Sequence, residues 1–182
     1  NTNVTNFYGI FAGCSNLQSI PNNLFANNSL VTNYQLAFQG CNKITSVPSN
    51  LFGNANGSVI NYASIFANCT SLTTIPEGLF QYAQNTTNYD NAFQNCPITI
   101  IPNNCFNGSN ASVENIFDVT KITSIGDNAL KGLAIPSGFF QGATSLITIG
   151  NNIFDANVTN MNSMFQNCTA LTTVGNMDFS NI

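Results

Sequence analysis

The sequence predicts an α/β repeat fold: a solenoid of about seven stacked coils with short parallel strands on one face and short helical turns and loops on the other. Three observations lead there. A Phe recurs at Phe11, Phe38, Phe66, Phe93, Phe117, Phe140 and Phe165, separated by 27, 28, 27, 24, 23 and 25 residues. Self-similarity at this period marks stacked supersecondary units rather than one globular core. Each Phe is followed by an Ile or Val and, always five residues later, a second large apolar residue: Ile20 and Phe25, Val47 and Phe52, Ile75 and Phe80, Ile101 and Phe106, Ile125 and Leu130, Ile149 and Phe154, Val174 and Phe179. Most of the length variation falls after that second residue, where a solenoid absorbs insertions. Residues 1–182 are therefore expected to form one solenoid domain, uncapped at both ends.

Within a coil, the segment before each Phe carries apolar residues at spacings of three and four, as in Val31, Tyr34, Ala37, Phe38 and in Val158, Met161, Met164, Phe165. That spacing predicts one face of a helical turn, which Thr32 and Asn33 or Thr159 and Asn160 would initiate. The runs Leu72 to Ile75 and Leu171 to Val174 are rich in Thr and branched aliphatics and predict brief strands. Pro21, Pro48, Pro76 and Pro102 directly follow the strand residue in their coils. A Pro cannot donate to a ladder, so each marks a strand end.

Cys14, Cys41, Cys69, Cys96 and Cys168 share one position, three after the Phe, and Cys105 takes the place that Leu24, Leu51 and Leu79 hold in other coils. Both placements are core columns, so the thiols are expected to be buried, free and to pack as small hydrophobes. A disulfide is the competing reading, but side chains in one column point the same way and meet its geometry poorly. The column Asn6, Asn33, Asn61, Asn88 and Asn160 is expected to bond along the stack and to satisfy loop backbone. Beside it, Phe7, Tyr34, Tyr62 and Tyr89 are expected to be mostly buried, with hydroxyls at the rim.

Composition excludes several classes of function. Only 5% of residues are charged, with three Lys, no Arg and a net charge of −4, which argues against a nucleic-acid partner. No apolar run approaches the roughly 20 residues of a membrane span, so membrane insertion is not expected. The chain has no His, which removes the usual base for a Ser or Cys nucleophile and, with no Cys-x-x-Cys pair, makes a zinc site improbable. The acids are scattered singly apart from Glu114 and Asp118, and no glycine-rich phosphate loop is present. An enzyme is not expected, nor a catalytic residue, cofactor or metal.

The run Phe-x-x-Cys-x-x-Leu-x-x-Ile, with Val158-Thr159-Asn160-Met161 and Met164-Phe165 ahead of its last copy, resembles the BspA-like leucine-rich repeats of bacterial and protozoan surface proteins over essentially the whole chain. The resemblance implies an extracellular or cell-surface leucine-rich-repeat solenoid that binds protein or glycan in adhesion, through one long uncharged face. Seven Asn-x-Ser/Thr sites, Asn3, Asn27, Asn56, Asn85, Asn107, Asn110 and Asn157, fall in the variable loops. In a eukaryotic source their glycans are expected to project outward. If Ile182 were followed by Asn1, Phe179 would precede the next Phe by 14 positions, the spacing from Phe52 to Phe66. The alternative expectation is therefore a structural subunit of a head-to-tail filament, its partners being copies of itself.

Overall fold

A computed structural model describes residues 3–53 and 56–178. Phe179, paired above with Val174, lies outside them. The chain winds as stacked coils whose one sheet contains four parallel strands in the order β1 (Ile100–Ile101), β2 (Ser124–Ile125), β3 (Thr148–Ile149) and β4 (Thr173–Val174). The register pairs Ile101 with Ile125, Ile125 with Ile149, and Ile149 with Val174.

The first three coils form no strand at Ile20, Val47 or Ile75, which corrects the expectation of a strand in each coil. The physical reason is a missing donor. Where strands form, the next residue closes the ladder: Gly126 N donates to Ile101 O, Gly150 N to Ile125 O and Gly175 N to Ile149 O. Pro48, Pro76 and Pro102 occupy that position in the earlier coils and have no N–H to give. The glycines are needed for closeness as well. A Cβ at Gly150 would sit 2.6 Å from the Gly126 carbonyl carbon, and one at Gly175 2.6 Å from that of Gly150.

The predicted helical turns are not helices. Among the described residues there is no α-helix, only two short 3-10 segments, Asn56–Ser58 and Val119–Lys121. In place of each helical turn stands a run of tight turns. Tyr34 O accepts from Ala37 N, and Phe38 O from Cys41 N. The third residues of these turns, Leu36 and Gly40, have φ of 61° and 71°, the type II signature. Positive φ recurs two residues before each repeated Phe, at Gly9, Leu36, Ser64, Asn91, Asn115, Gly138 and Ser163. It recurs two residues after the Phe at Gly13, Gly40, Asn68, Asn95, Gly142 and Asn167.

The alternation directs the backbone donors. In the coil of Phe38, Tyr34, Leu36, Phe38 and Gly40 donate to Asn61, Ala63, Ile65 and Ala67 of the next coil, while Ala37, Gln39 and Cys41 bond within their own turns. Every N–H of the segment is thereby satisfied without a helix, and the turns build a second ladder along the stack. The same spacing of three and four still buries Val31, Tyr34, Ala37, Phe38 and Cys41, so the core residues are as expected although the backbone is not.

Three aromatic columns fill the interior. The Phe column stacks at centroid distances of 5.3 Å from Phe11 to Phe38, 5.5 Å to Phe66, 5.5 Å to Phe93 and 5.7 Å to Phe117. Tyr34, Tyr62 and Tyr89 lie nearly parallel at 5.7 and 5.6 Å. Edges of Phe52, Phe80 and Phe106 meet these rings, as at 4.8 Å between Tyr62 and Phe80. The tyrosines lie deeper than expected, at most 2% exposed, and the Tyr89 hydroxyl donates inward to Asn107 O at 2.7 Å rather than standing at a rim. Phe11 and Phe165 are only partly buried, Phe11 stacking on Phe38 at 5.3 Å and Phe165 on Phe140 at 5.6 Å.

Candidate functional site

The Cys column is chemically quiet. All six cysteines are free, so the disulfide reading is set aside. Cys41, Cys69 and Cys96 are buried, Cys168 is half-buried and Cys14 is exposed, so the expectation of burial fails for Cys14. The thiols act as rungs. Cys41 Sγ donates to Phe11 O at 3.2 Å, Cys69 Sγ to Phe38 O at 3.2 Å, Cys96 Sγ to Phe66 O at 3.0 Å and Cys168 Sγ to Phe140 O at 3.2 Å. Burial pushes the thiols up from 9.0, Cys41 to about 11 and Cys69 and Cys96 to about 12. They stay protonated as donors, the opposite of an activated nucleophile.

The Asn column is structural, chiefly by satisfying turn backbone. Asn6, Asn33, Asn61 and Asn88 pair in parallel through their backbones. Their side-chain oxygens bond within their own coils: Asn33 Oδ1 accepts from Gln35 N at 2.9 Å, Asn61 Oδ1 from Ala63 N at 2.8 Å and Asn160 Oδ1 from Asn162 N at 2.9 Å. Asn61 also reaches along the stack, its Nδ2 donating to Gln35 Oε1 of the preceding coil at 3.2 Å. These Asx turns start each run of tight turns. Other asparagines supply the left-handed residues, accounting for ten of the thirteen non-glycine positive φ values described. Asn and Gly tolerate that region best, which explains why 33 of 182 residues are Asn better than a side-chain ladder does.

Two surfaces remain as sites. The first follows the strands. The two residues before each Ile or Val turn outward, giving Gln18-Ser19, Thr45-Ser46, Thr73-Thr74, Thr99-Ile100, Thr123-Ser124, Ile147-Thr148 and Thr172-Thr173, all exposed or half-exposed. Some hydroxyls are tied along the stack: Thr148 Oγ1 donates to Ser124 Oγ at 2.9 Å and Thr123 Oγ1 to Thr99 O at 3.0 Å. Ile100 and Ile147, 53% and 46% exposed, add apolar patches. This face holds no charged side chain. Its signal in the sequence is Thr or Ser recurring one and two residues before the strand's Ile or Val.

The second surface is a break in the turn ladder. By register, Pro136 stands where Tyr34 and Tyr62 donate to Asn61 O and Asn88 O. Lacking an N–H, it leaves out the rung to Asn160 O, although the next rung, Gly138 N to Asn162 O at 2.9 Å, is made. On its other side, Val113, Asn115 and Phe117 make none of the forward backbone bonds that Tyr89, Asn91 and Phe93 make, and Phe117 does not stack on Phe140. Two cavities open here. One of about 610 Å³ lies against Asn110, Ser137, Asn157, Thr159 and Asn160, and one of about 360 Å³ against Val113, Glu114 and Phe139. Ala134 and Pro136 line both. On the strand side the coils stay paired through β1 to β4.

The candidate glycosylation sites divide. Asn3, Asn27, Asn85, Asn110 and Asn157 are exposed, although the Asn85 amide donates to Gly57 O at 2.7 Å. Asn107 does not project outward: it is half-buried, Nδ2 donating to Gln81 O at 3.1 Å and Oδ1 accepting from Gly108 N at 3.0 Å. Asn56 begins a 3-10 segment, and its side chain lies outside what the structure describes. The Asp118 carboxylate is held below its usual range by its bond to the Thr120 hydroxyl and by Lys121, whose Nζ lies 3.2 Å away. It caps a turn there. No group of three His, Cys, Asp or Glu among the described residues is arranged to hold a metal, and no described helix is long and apolar enough to cross a membrane.

No family model matches the chain, and no curated protein does. A solved structure, the crystal structure of a leucine-rich repeat protein from Bacteroides ovatus ATCC 8483, is similar to it at 18% identity and a TM-score of 0.30, over 96% of this chain and 59% of that one. This chain thus spans under two thirds of that protein's length.

Proposed function

We propose that this chain is a non-enzymatic, extracellular or cell-surface leucine-rich-repeat protein that binds protein or glycan partners through its strand face. The observation that carries this reading is the uncharged double column of Thr and Ser, interrupted by Ile100 and Ile147, along the outside of the sheet. Such a surface offers hydroxyl donors and acceptors with apolar contact area and no electrostatic steering, so recognition rests on shape and short-range bonds. The Cys and Asn columns serve the stack and carry no chemistry in this reading.

The test is binding of fluorescently labelled protein to cultured cells and to surfaces coated with extracellular glycoproteins. The doubly substituted Thr73→Lys, Thr123→Lys variant, which places two charges on the face without entering the core, should lose most of the binding. Binding should change little with ionic strength, because no charged pair contributes to it. Retention of binding in the double variant overturns the strand-face assignment. Electron microscopy of the same material separates adhesion, which requires discrete particles, from the filament alternative, which requires polymers that lengthen with concentration.

A further inference from the structure

We propose that the groove beside Pro136 is a binding site for a neutral oligosaccharide, separate from the strand face. Two interruptions of the turn ladder meet there. Tyr34 and Tyr62 close their rungs, whereas Pro136 at the same register has no N–H for the rung to Asn160 O, and on the other side Val113, Asn115 and Phe117 make no forward backbone bonds. The two cavities, about 610 and 360 Å³, fall in the range of built ligand sites and share Ala134 and Pro136 as a common wall.

Their chemistry is divided in the manner that a sugar requires. Along the larger cavity Asn110, Ser137, Asn157, Thr159 and Asn160 offer amides and hydroxyls, groups that both donate and accept. A sugar hydroxyl does the same. Asn160 Oδ1 is already committed to its own Asx turn, which fixes the orientation of the amide. Beside the smaller cavity the half-buried Phe139 ring, held edge-on to Phe140 at a centroid distance of 4.9 Å, lies with Val113 and Pro136. This apolar wall suits the C–H face of a pyranose. The only charged side chain along either cavity is the carboxylate of Glu114. It accepts from hydroxyls and repels sulfated or sialylated chains, so the occupant is neutral.

The experiment uses the full chain made in a host without N-linked glycosylation, so that Asn110 and Asn157 are unmodified. Short neutral gluco-, manno- and galacto-oligosaccharides and sialylated and sulfated counterparts are titrated by calorimetry, with amide chemical shifts mapped by NMR. A neutral oligosaccharide should bind and shift amides of Ser137, Phe139 and Thr159 while leaving Thr73 and Thr123 unmoved. Asn157→Ala should weaken it at least about tenfold, which is about 1.4 kcal/mol. Pro136→Ala restores the missing donor and should abolish binding while the melting temperature stays level or rises, a result that a folding defect does not give. Any of four results overturns the proposal: no neutral saccharide bound, shifts confined to the strand face, equal binding of anionic chains or peptides, or full affinity in both variants. Because the strand-face reading is tested by Thr73→Lys, Thr123→Lys and this one by Pro136→Ala, each can fail alone.

Discussion

The thiol of Cys96 donates to the carbonyl of Phe66 at 3.0 Å, 30 residues away and one coil earlier. Cys41 and Cys69 repeat the contact with Phe11 and Phe38. A residue type usually read as redox or catalytic is here a stacking rung, small enough for the column and able to satisfy a carbonyl that faces the core.

Stability should therefore fall at alkaline pH. Burial raises Cys69 and Cys96 from 9.0 to about 12 in the folded chain, so between those values the native state holds protons that the unfolded state has released. The stabilisation is whole below about pH 9 and is lost as pH climbs toward 12. Buried Tyr34 and Tyr89, also raised by burial, act in the same direction above pH 10. Thermal melts at pH 7.5 and 9.5 should show a lower midpoint at the higher pH, and the triple variant Cys41→Ala, Cys69→Ala, Cys96→Ala should flatten the difference. An unchanged slope in that variant would contradict the assignment.

Phe93 is fully buried, stacked between Phe66 and Phe117 and met by the edge of Phe80. Phe93→Ala should cost about 3 to 5 kcal/mol in urea unfolding. Phe11→Ala, at a half-buried position with one stacked neighbour, should cost clearly less.

Leu36 is the one bulky residue in the left-handed column, at φ 61°, where other coils place Gly, Asn or Ser. Its strain is of order 1 to 2 kcal/mol. Leu36→Asn should stabilise the chain by roughly 0.5 to 1 kcal/mol in the same assay, and a loss of stability there would mean that the Leu side chain contributes packing that outweighs the strain.

Gly150 must lie against the backbone of the coil before it. Gly150→Ala places a Cβ 2.6 Å from the Gly126 carbonyl carbon, a backbone clash that should cost about 1 to 3 kcal/mol. Gly142→Ala is the control for conformation alone, because its Cβ would meet nothing within 4 Å while its φ is 73°.

What the sequence revealed follows from what its periodicity encodes. A column such as Phe38, Phe66 and Phe93 announces burial whatever the backbone does, so the core was legible. The backbone of the turns was not, since a spacing of three and four at Val31, Tyr34, Ala37 and Phe38 fits a helical turn and a run of type II turns equally well. The discriminating signal was present in Gly9, Gly13, Gly40, Gly138 and Gly142, which recur two residues either side of the Phe and would weaken a helix. Strand loss in the early coils was half legible: Pro48 and Pro76 marked strand ends, but that each also removed the rung closing the pair required the register. The groove was illegible for a related reason. Pro136 is ordinary until Tyr34 and Tyr62 show that its position is a donor position.

Amide hydrogen exchange by NMR tests the central claim most directly, namely that the coils are joined by two ladders and parted on the turn side at Pro136. Ser64 and Asn91 donate to Asp90 O and Glu114 O at 2.8 and 2.7 Å, whereas Asn115, at the same register, makes no such bond. Slow exchange at Ser64 and Asn91 with fast exchange at Asn115, alongside slow exchange at Thr123 and Gly150 on the strand side, is the expected result. Equal protection of Asn115 and Asn91, or equally fast exchange at Ser64, Asn91 and Asn115, would contradict it.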